Sequence, residues 1–273
     1  MAYTELPARS QDLTFETFEK MFMERFGIAV RKPDTWITLG LYSPEAEFTN
    51  AALLLSSQND FPGIDVVMYG ESRDIIRRRV RLENCSVLDL IDDSMKLFEE
   101  QFIYEKVEGL YRSVKEKIPT ESFREVITNA IVHRQWETPA LVKVEFYPDK
   151  AIVTSPGGLP EGMSAEEYLS DRHISILRNE SLALTFLRLG LIESLGTGIP
   201  RIRECYARSI QQPDQQQIYD CVLEHQPVSS TQIQAATGLS RSTLQRCLKS
   251  MTESGYLVRT GKGPSSRYII RHI

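Results

Sequence analysis

The sequence has few of the residues that build metal or disulfide sites. Four cysteines, Cys85, Cys205, Cys221 and Cys247, stand far apart with no CxxC pair. That spacing excludes a zinc ribbon or a disulfide frame and leaves them as small buried hydrophobes of a reducing compartment. The four histidines, His133, His173, His225 and His272, form no HxH or HxxxH cluster, so a metal site built on histidine is not expected. No apolar run approaches the roughly 20 residues that cross a bilayer. Met1 to Ser10 holds no hydrophobic stretch of the signal-peptide kind. The expectation is a soluble, cytoplasmic protein without membrane contact.

What is there is ordinary globular material. The chain has 273 residues, 41% of them hydrophobic and 25% charged, enough for two domains and compatible with three. The net charge of −5 argues against a uniformly cationic coat, but the charge is unevenly placed. From Ser240 onward Arg241, Arg246, Lys249, Arg259, Lys262, Arg267 and Arg271 face a single acid, Glu253. An acidic body with a basic tail suits a protein that holds DNA by one end. A solvated basic surface without a partner is the alternative that composition leaves open.

Along the first segment, Phe15 to Phe26 has helical apolar spacing, and Ile64 to Tyr69 and Ile75 to Arg81 read as strands. Val87 to Phe102 reads as a helix with Ser86 as its N-cap. In the run Arg77-Arg78-Arg79-Val80-Arg81 alternate side chains face opposite ways. A charged edge that discourages strand pairing explains the run at least as well as a nucleic-acid contact.

A second segment opens with a helix from Glu121 to about Trp136. It continues with Leu141 to Phe146 and Lys150 to Thr154 as a hairpin around Tyr147-Pro148-Asp149. The loop Ser155-Pro156-Gly157-Gly158-Leu159-Pro160-Glu161-Gly162 follows. A helix from Ser181 to Leu189 comes next, and Gly196-Thr197-Gly198 starts another that ends near Arg208. Ser209 to Gln217, polar and glutamine-rich, has the composition of a linker. These signals divide the chain into residues 1–118, 119–209, a linker at 210–217, and 218–273.

The last part lays out as three helices and a hairpin. Gln216 to Glu224 carries Ile218, Cys221 and Val222 on one face. Ser230 to Thr237 carries Ile233 and Ala236, and Gly238 supplies the turn. Ser240 is an N-cap for a third helix in which Leu244, Leu248 and Met251 fall at i, i+4 and i+7. Burying that stripe leaves Arg241, Ser242, Gln245 and Lys249 outside, with Arg246 beside them. Such side chains bond phosphates and base edges. Tyr256 to Arg259 and Arg267 to Ile270 then read as strands around a loop holding Lys262, a basic wing that includes Arg267. The order is that of a winged helix-turn-helix on double-stranded DNA. A winged helix used for protein contacts alone is the competing reading.

On the helix from Glu121, the residues Phe123, Val126, Ile127, Ala130 and Ile131 form a core-facing stripe. Glu125, Asn129 and His133, spaced i, i+4 and i+8, line a polar strip. Solvent exposure is the ordinary fate of such a strip. A nucleotide site is the functional one, because a carboxylate orients water and an amide oxygen ligates Mg²⁺. The later glycines, Gly157-Gly158 and Gly196-Thr197-Gly198, favour the second reading, since bare backbone N–H groups before a helix cradle phosphates.

Thr120 to Arg203 resembles the C-terminal region of bacterial transcriptional regulators related to the RecG helicase. The resemblance rests on Phe123-Arg124-Glu125 through Asn129-Ala130-Ile131-Val132-His133-Arg134 and on Ser155-Pro156-Gly157-Gly158-Leu159-Pro160. It also rests on Arg178-Asn179, on Gly190-Leu191-Ile192-Glu193 and on Gly196-Thr197-Gly198-Ile199. It extends more weakly to Phe48 through Leu55. No Walker loop or helicase motor accompanies it. The resemblance implies a divergent ATPase domain of the gyrase, chaperone, histidine-kinase and mismatch-repair (GHKL) type, with ATP and Mg²⁺ as its ligands. By it, Glu125 corresponds to the water-activating carboxylate and Asn129 to the Mg²⁺ ligand. Gly157 and Gly158 lie beside the base, and Gly196 and Gly198 near the phosphates. Active members place an Asp in the first glycine loop to accept the adenine amino group; here Ser155-Pro156 stands in that neighbourhood, which removes much base selectivity. The family usually carries an N-terminal AlbA- or Schlafen-like domain. This sequence begins after it, so a truncated or a naturally short member is expected.

The fold expected is α+β: a mixed domain with an ATPase-like, helix-backed sheet, then a C-terminal winged helix-turn-helix. Two functions follow. One is a DNA-binding transcriptional regulator whose degenerate ATPase-like domain senses a ligand or dimerises, as a homodimer. The other is a Mg²⁺-dependent ATPase whose nucleotide cycle gates DNA binding.

Overall fold

A computed structural model describes residues 2–108, 111–159, 162–164, 167–168, 177–192, 198–209, 213–261, 263 and 266–270. Its architecture is α+β, and its contacts divide it into two units. The first joins residues 1–102 to 123–200, and the second joins 103–122 to 201–273.

The first unit is organised on a mixed sheet. The β-branched and apolar runs β1 (Ile64–Tyr69), β2 (Ile76–Leu82), β5 (Val142–Phe146) and β6 (Ala151–Thr154) form strands in the order β2-β1-β5-β6. β1 runs antiparallel to β2 and parallel to β5, with Val66 opposite both Val80 and Val144. β5 and β6 form the expected hairpin, Phe146 opposite Ala151. On one face Ile64, Val66, Val142, Val144 and Phe146 are fully buried. Helices α4 (Val87–Phe102) and α5 (Thr120–Val132) bring aromatic rings onto that face. Phe98 stacks on Phe123 at 4.3 Å, and Phe102 and Phe123 meet Phe146 edge-on at 5.3 and 5.4 Å. Rings at these spacings add roughly 0.5–1.5 kcal/mol per pair beyond their burial.

The other face is lined by Asp65, Val67, Tyr69, Lys143 and Glu145, as the period of two requires. β2 is an edge strand, and its arginines divide between the faces. Arg79 reaches Asp65 with two bonds of 2.9 and 2.7 Å, while Arg78 reaches Glu100 of α4 at 2.6 Å. Two arginines of the run, Arg78 and Arg79, are thus held in ion pairs along a charged edge.

The N-terminal segment adds α1 (Glu16–Phe26), α2 (Asp34–Thr38) and α3 (Asn50–Leu55). Phe15 and Phe18 close on Trp36 at 4.6 and 5.0 Å, and every residue of α3 is buried. Ser86 caps α4 as its position suggests, its Oγ accepting the Leu88 N–H at 3.2 Å.

In the second unit β3 (Ile103–Glu108) and β4 (Tyr111–Glu116) form a separate two-stranded hairpin. α6 (Glu180–Leu189) belongs to the first unit, and α7 (Gly198–Ser209) leads from one unit to the other. Helix α8 (Pro213–His225) starts inside the stretch whose composition reads as a linker. Pro213 at the first helical position lacks only an N–H that would be unbonded there, and Asp214 favours the helix start. α9 (Ser230–Thr237), α10 (Arg241–Glu253), β7 (Leu257–Thr260) and β8 (Arg267–Ile270) complete the unit. Ile218, Val222, Ile233, Leu244, Cys247, Leu248, Met251 and Leu257 seal a common core. The strand segment at Val228 joins the sheet edge through two bonds with Tyr268.

Among the described residues no helix is long and apolar enough to cross a membrane.

Candidate nucleic-acid interface and glycine-loop site

Local chemistry sets the geometry of α9 and α10. Ser229 and Gln232 form a capping box, the serine Oγ accepting the Gln232 N–H at 3.3 Å and the glutamine Oε1 accepting the Ser229 N–H at 2.9 Å. Gly238 ends α9 at φ +68°, the left-handed region in which a side chain is strained. Ser240 then caps α10 by accepting the Thr243 N–H at 3.2 Å. Each cap is worth about 1 kcal/mol. Together they fix the sharp turn between the two helices.

Leu244, Cys247, Leu248 and Met251 point inward at 3% exposure or less. Arg241, Ser242, Gln245, Arg246 and Lys249 consequently stand exposed on the opposite side of α10. Lys249 lies 3.8 Å from Glu253 on the same helix, a contact that water screens. In the wing, Arg259 bonds the Ser266 hydroxyl at 2.9 Å, and Arg267 is exposed. Lys262 lies outside the described residues. One helix and the two wing strands thus present five cations and two neutral hydrogen-bonding side chains, a set that bonds phosphates and base edges.

The second candidate site is built on α5. Glu125, Asn129 and His133 are half-buried rather than solvated. Asn129 Nδ2 donates to Glu125 Oε1 at 3.0 Å. Gly198, the first residue of α7, rests directly on this pair: a Cβ there would lie 2.6 Å from Asn129 Nδ2 and 2.9 Å from Glu125 Oε1. A side chain at this position would have to push the two aside. A helix N-terminus favours the carboxylate beside it. Burial, with the Glu125 charge adding to it, raises the Tyr168 hydroxyl above its ordinary value. Gly196 and Thr197 lie outside the described residues.

The end of α5 is held by side chains from two later segments. Ser155 Oγ donates to the Ala130 carbonyl at 2.6 Å, and Arg178 Nη1 donates to that of His133 at 2.8 Å. Asn179 Nδ2 donates to both the Val132 and Arg134 carbonyls, at 2.7 and 2.8 Å. The Gln135 N–H meets the Pro156 carbonyl at 2.9 Å. These bonds satisfy the last carbonyls of the helix and end it at Val132, four residues before the expected Trp136. Arg178 Nη2 also bonds the Gly158 carbonyl at 2.8 Å, so Arg178 and Asn179 tie the first glycine loop to α5. Gly157 sits at φ +111° with Arg178 Nη1 2.6 Å from where its Cβ would be, whereas Gly158 has open space.

Arg134 is buried behind this turn, stacked 4.5 Å from the Trp136 ring centre, its Nη2 on the Thr138 and Ala140 carbonyls. Burial lowers its pKa to about 10.

The donor set is one amide and one carboxylate, and among the described residues no group of three His, Cys, Asp or Glu side chains gathers to hold a metal. It fits Mg²⁺, which takes most of its ligands from water and phosphate and only one or two from protein. Asn129 Oδ1 would hold the ion and Glu125 would orient water.

Comparison with known proteins gives two matching regions. A family model described as "Putative ATP-dependent DNA helicase recG C-terminal" matches residues 140–220, and one described as the IclR helix-turn-helix domain matches residues 217–261. The first takes in both glycine loops but begins after Glu125, Asn129 and His133. The second takes in all of α10. No curated protein matches the chain. A crystal structure of the DIP2311 protein from Corynebacterium diphtheriae is similar with a TM-score of 0.68 and 16% identity. The match covers 99% of this chain and 64% of that one, and it carries the fold alone. Within one α+β chain there are thus an ATPase-type region similar to the RecG C-terminal family and a helix-turn-helix of the IclR type.

Proposed function

We propose that this protein is a DNA-binding transcriptional regulator that docks α10 in the major groove and steadies itself on phosphates through its wing. The observation that carries the reading is the division of α10 into an inward apolar stripe and an outward row of Arg241, Ser242, Gln245, Arg246 and Lys249. The match to an IclR-type helix-turn-helix supports it. Fluorescence polarisation of the full chain on labelled duplexes taken from genomic fragments tests it. Tight binding to a subset of duplexes is expected, weakened at least tenfold by Arg241→Ala combined with Lys249→Ala. Equal, weak affinity for every duplex, untouched by those changes, contradicts it.

In this reading the ATPase-like region senses a ligand. The Glu125–Asn129 pair under Gly198 favours a nucleotide with Mg²⁺, and Ser155 adds to the case. Its hydroxyl hydrogen is engaged by the Ala130 carbonyl, so the oxygen is left with lone pairs alone, the form needed to accept an amino group. The alternative of an ATPase whose turnover gates DNA binding uses the same residues. Calorimetry with ATP and Mg²⁺ separates the possibilities. Binding lost in Asn129→Ala supports a nucleotide site, and phosphate release lost in Glu125→Gln supports turnover. Heat flow indistinguishable from buffer removes both.

A further inference from the structure

The hairpin of β3 and β4 gathers exposed apolar surface onto a small element. Tyr104 is 45% exposed, Val107 62%, Tyr111 81% and Val114 67%. Two six-residue strands with no third strand are marginal in water and need a further strand or a covering surface. Among the described residues their sheet contains β3 and β4 alone, so each strand has an open edge of N–H and C=O groups. The charges balance: Glu105, Glu108 and Glu116 against Lys106, Arg112 and Lys115. A strand from a strongly charged partner of either sign gains nothing there. A strand carrying the same alternating charges does.

We propose that β4 pairs antiparallel with β4 of a second copy, forming a four-stranded sheet about a two-fold axis at Val114. The register follows from charge. On a two-fold axis normal to a sheet, residues can stand opposite only if they point to the same face. Arg112, Val114 and Glu116 share a face by the period of two, and the hairpin register sets Val107, Glu105 and Ile103 beside them. With Val114 on the axis, Arg112 of each copy faces the partner's Glu116, and the two valines meet. An axis at Ser113 would oppose Arg112 to Val114 and Tyr111 to Lys115, with no opposite charges matched. An axis at Lys115 would set two lysines against each other. Glu116 accepts the Thr120 N–H through Oε2 at 2.9 Å, which leaves Oε1 for the partner's arginine. Arg112 is already 3.5 Å from Glu105, so each guanidinium bridges two carboxylates, one from each copy. The inference is independent of DNA binding, although a two-fold pair of winged helices suits a site with two half-sites.

Sedimentation of the full chain over a dilution series tests the assembly, and Val114 tests its place. The expected result is twice the monomer mass, falling to the monomer in Val114→Lys while circular dichroism shows that the chain is still folded. Cα atoms opposed across a ladder stand about 5.5 Å apart, within reach of a disulfide. Val114→Cys treated with diamide therefore gives a covalent dimer in which two thiols become one disulfide. The unsubstituted chain and Ser113→Cys do not. A monomer at every concentration overturns the proposal, as does a dimer that Val114→Lys leaves intact.

Discussion

Asn179 is 2% exposed and its single amide group holds two helix-end carbonyls. Removing it leaves both carbonyls buried without a donor, at about 1–3 kcal/mol for each. Asn179→Ala is therefore expected to lower stability in urea by about 2–6 kcal/mol, far more than an exposed change. The glycines of the first loop offer a paired test. Gly157→Ala forces a side chain into a left-handed conformation and against Arg178 and should cost about 1–3 kcal/mol. Gly158→Ala meets nothing within 4 Å and should stay within about 0.5 kcal/mol. A reversed order would mean that the loop is not held as described. Asp65 provides the acid response. The Arg79 guanidinium bonded to it, with Arg81 and Lys143 nearby, holds its carboxyl below the ordinary value in spite of burial. Because the folded group binds its proton less readily than the unfolded one, its contribution is complete above the unfolded pKa of about 3.9. It disappears as pH falls through the lower folded value. Asp65→Asn should flatten the stability profile in that acid window while lowering stability at neutral pH; an unchanged acid limb contradicts the assignment.

At the scale of elements, the pieces written in short-range chemistry were legible and the pairings between distant strands were not. Ser86 and Ser240 precede apolar periodicity, and each caps a helix. β8 begins and ends where alternation places it, at Arg267 and Ile270. The parallel union of β1 with β5 joins residues some eighty positions apart, and nothing in either strand names its partner. The β3–β4 hairpin escaped because its alternation is broken: polar and apolar residues occur on both faces, so no half-buried pattern forms. The glycine-loop site was legible in Glu125, Asn129 and Gly198. Arg178 and Asn179 were visible only as part of a resemblance, since their partners are backbone carbonyls that leave no mark on the sequence. Within the winged helix, Leu248→Ala opens a cavity in a sealed core and is expected to cost about 2–5 kcal/mol. Arg246→Ala, on the exposed side, should leave the melting temperature unchanged and act on DNA affinity alone.

At the scale of the whole molecule, the net charge of −5 hides an uneven distribution, and the proposed DNA contact rests on that distribution. An acidic chain repels a polyanion everywhere except where cations are gathered, so contact should be confined to α10 and the wing. Each phosphate neutralised by Lys or Arg releases condensed counterions, and log Kobs falls with log salt by about 0.9 per contact. The most direct test is this slope, measured for the full chain on one tight duplex, beside Arg241→Ala and Lys249→Ala. The account predicts a steep negative slope that becomes shallower by about one in each variant, with the fold unchanged by circular dichroism. A slope near zero, or one that neither substitution alters, would contradict it.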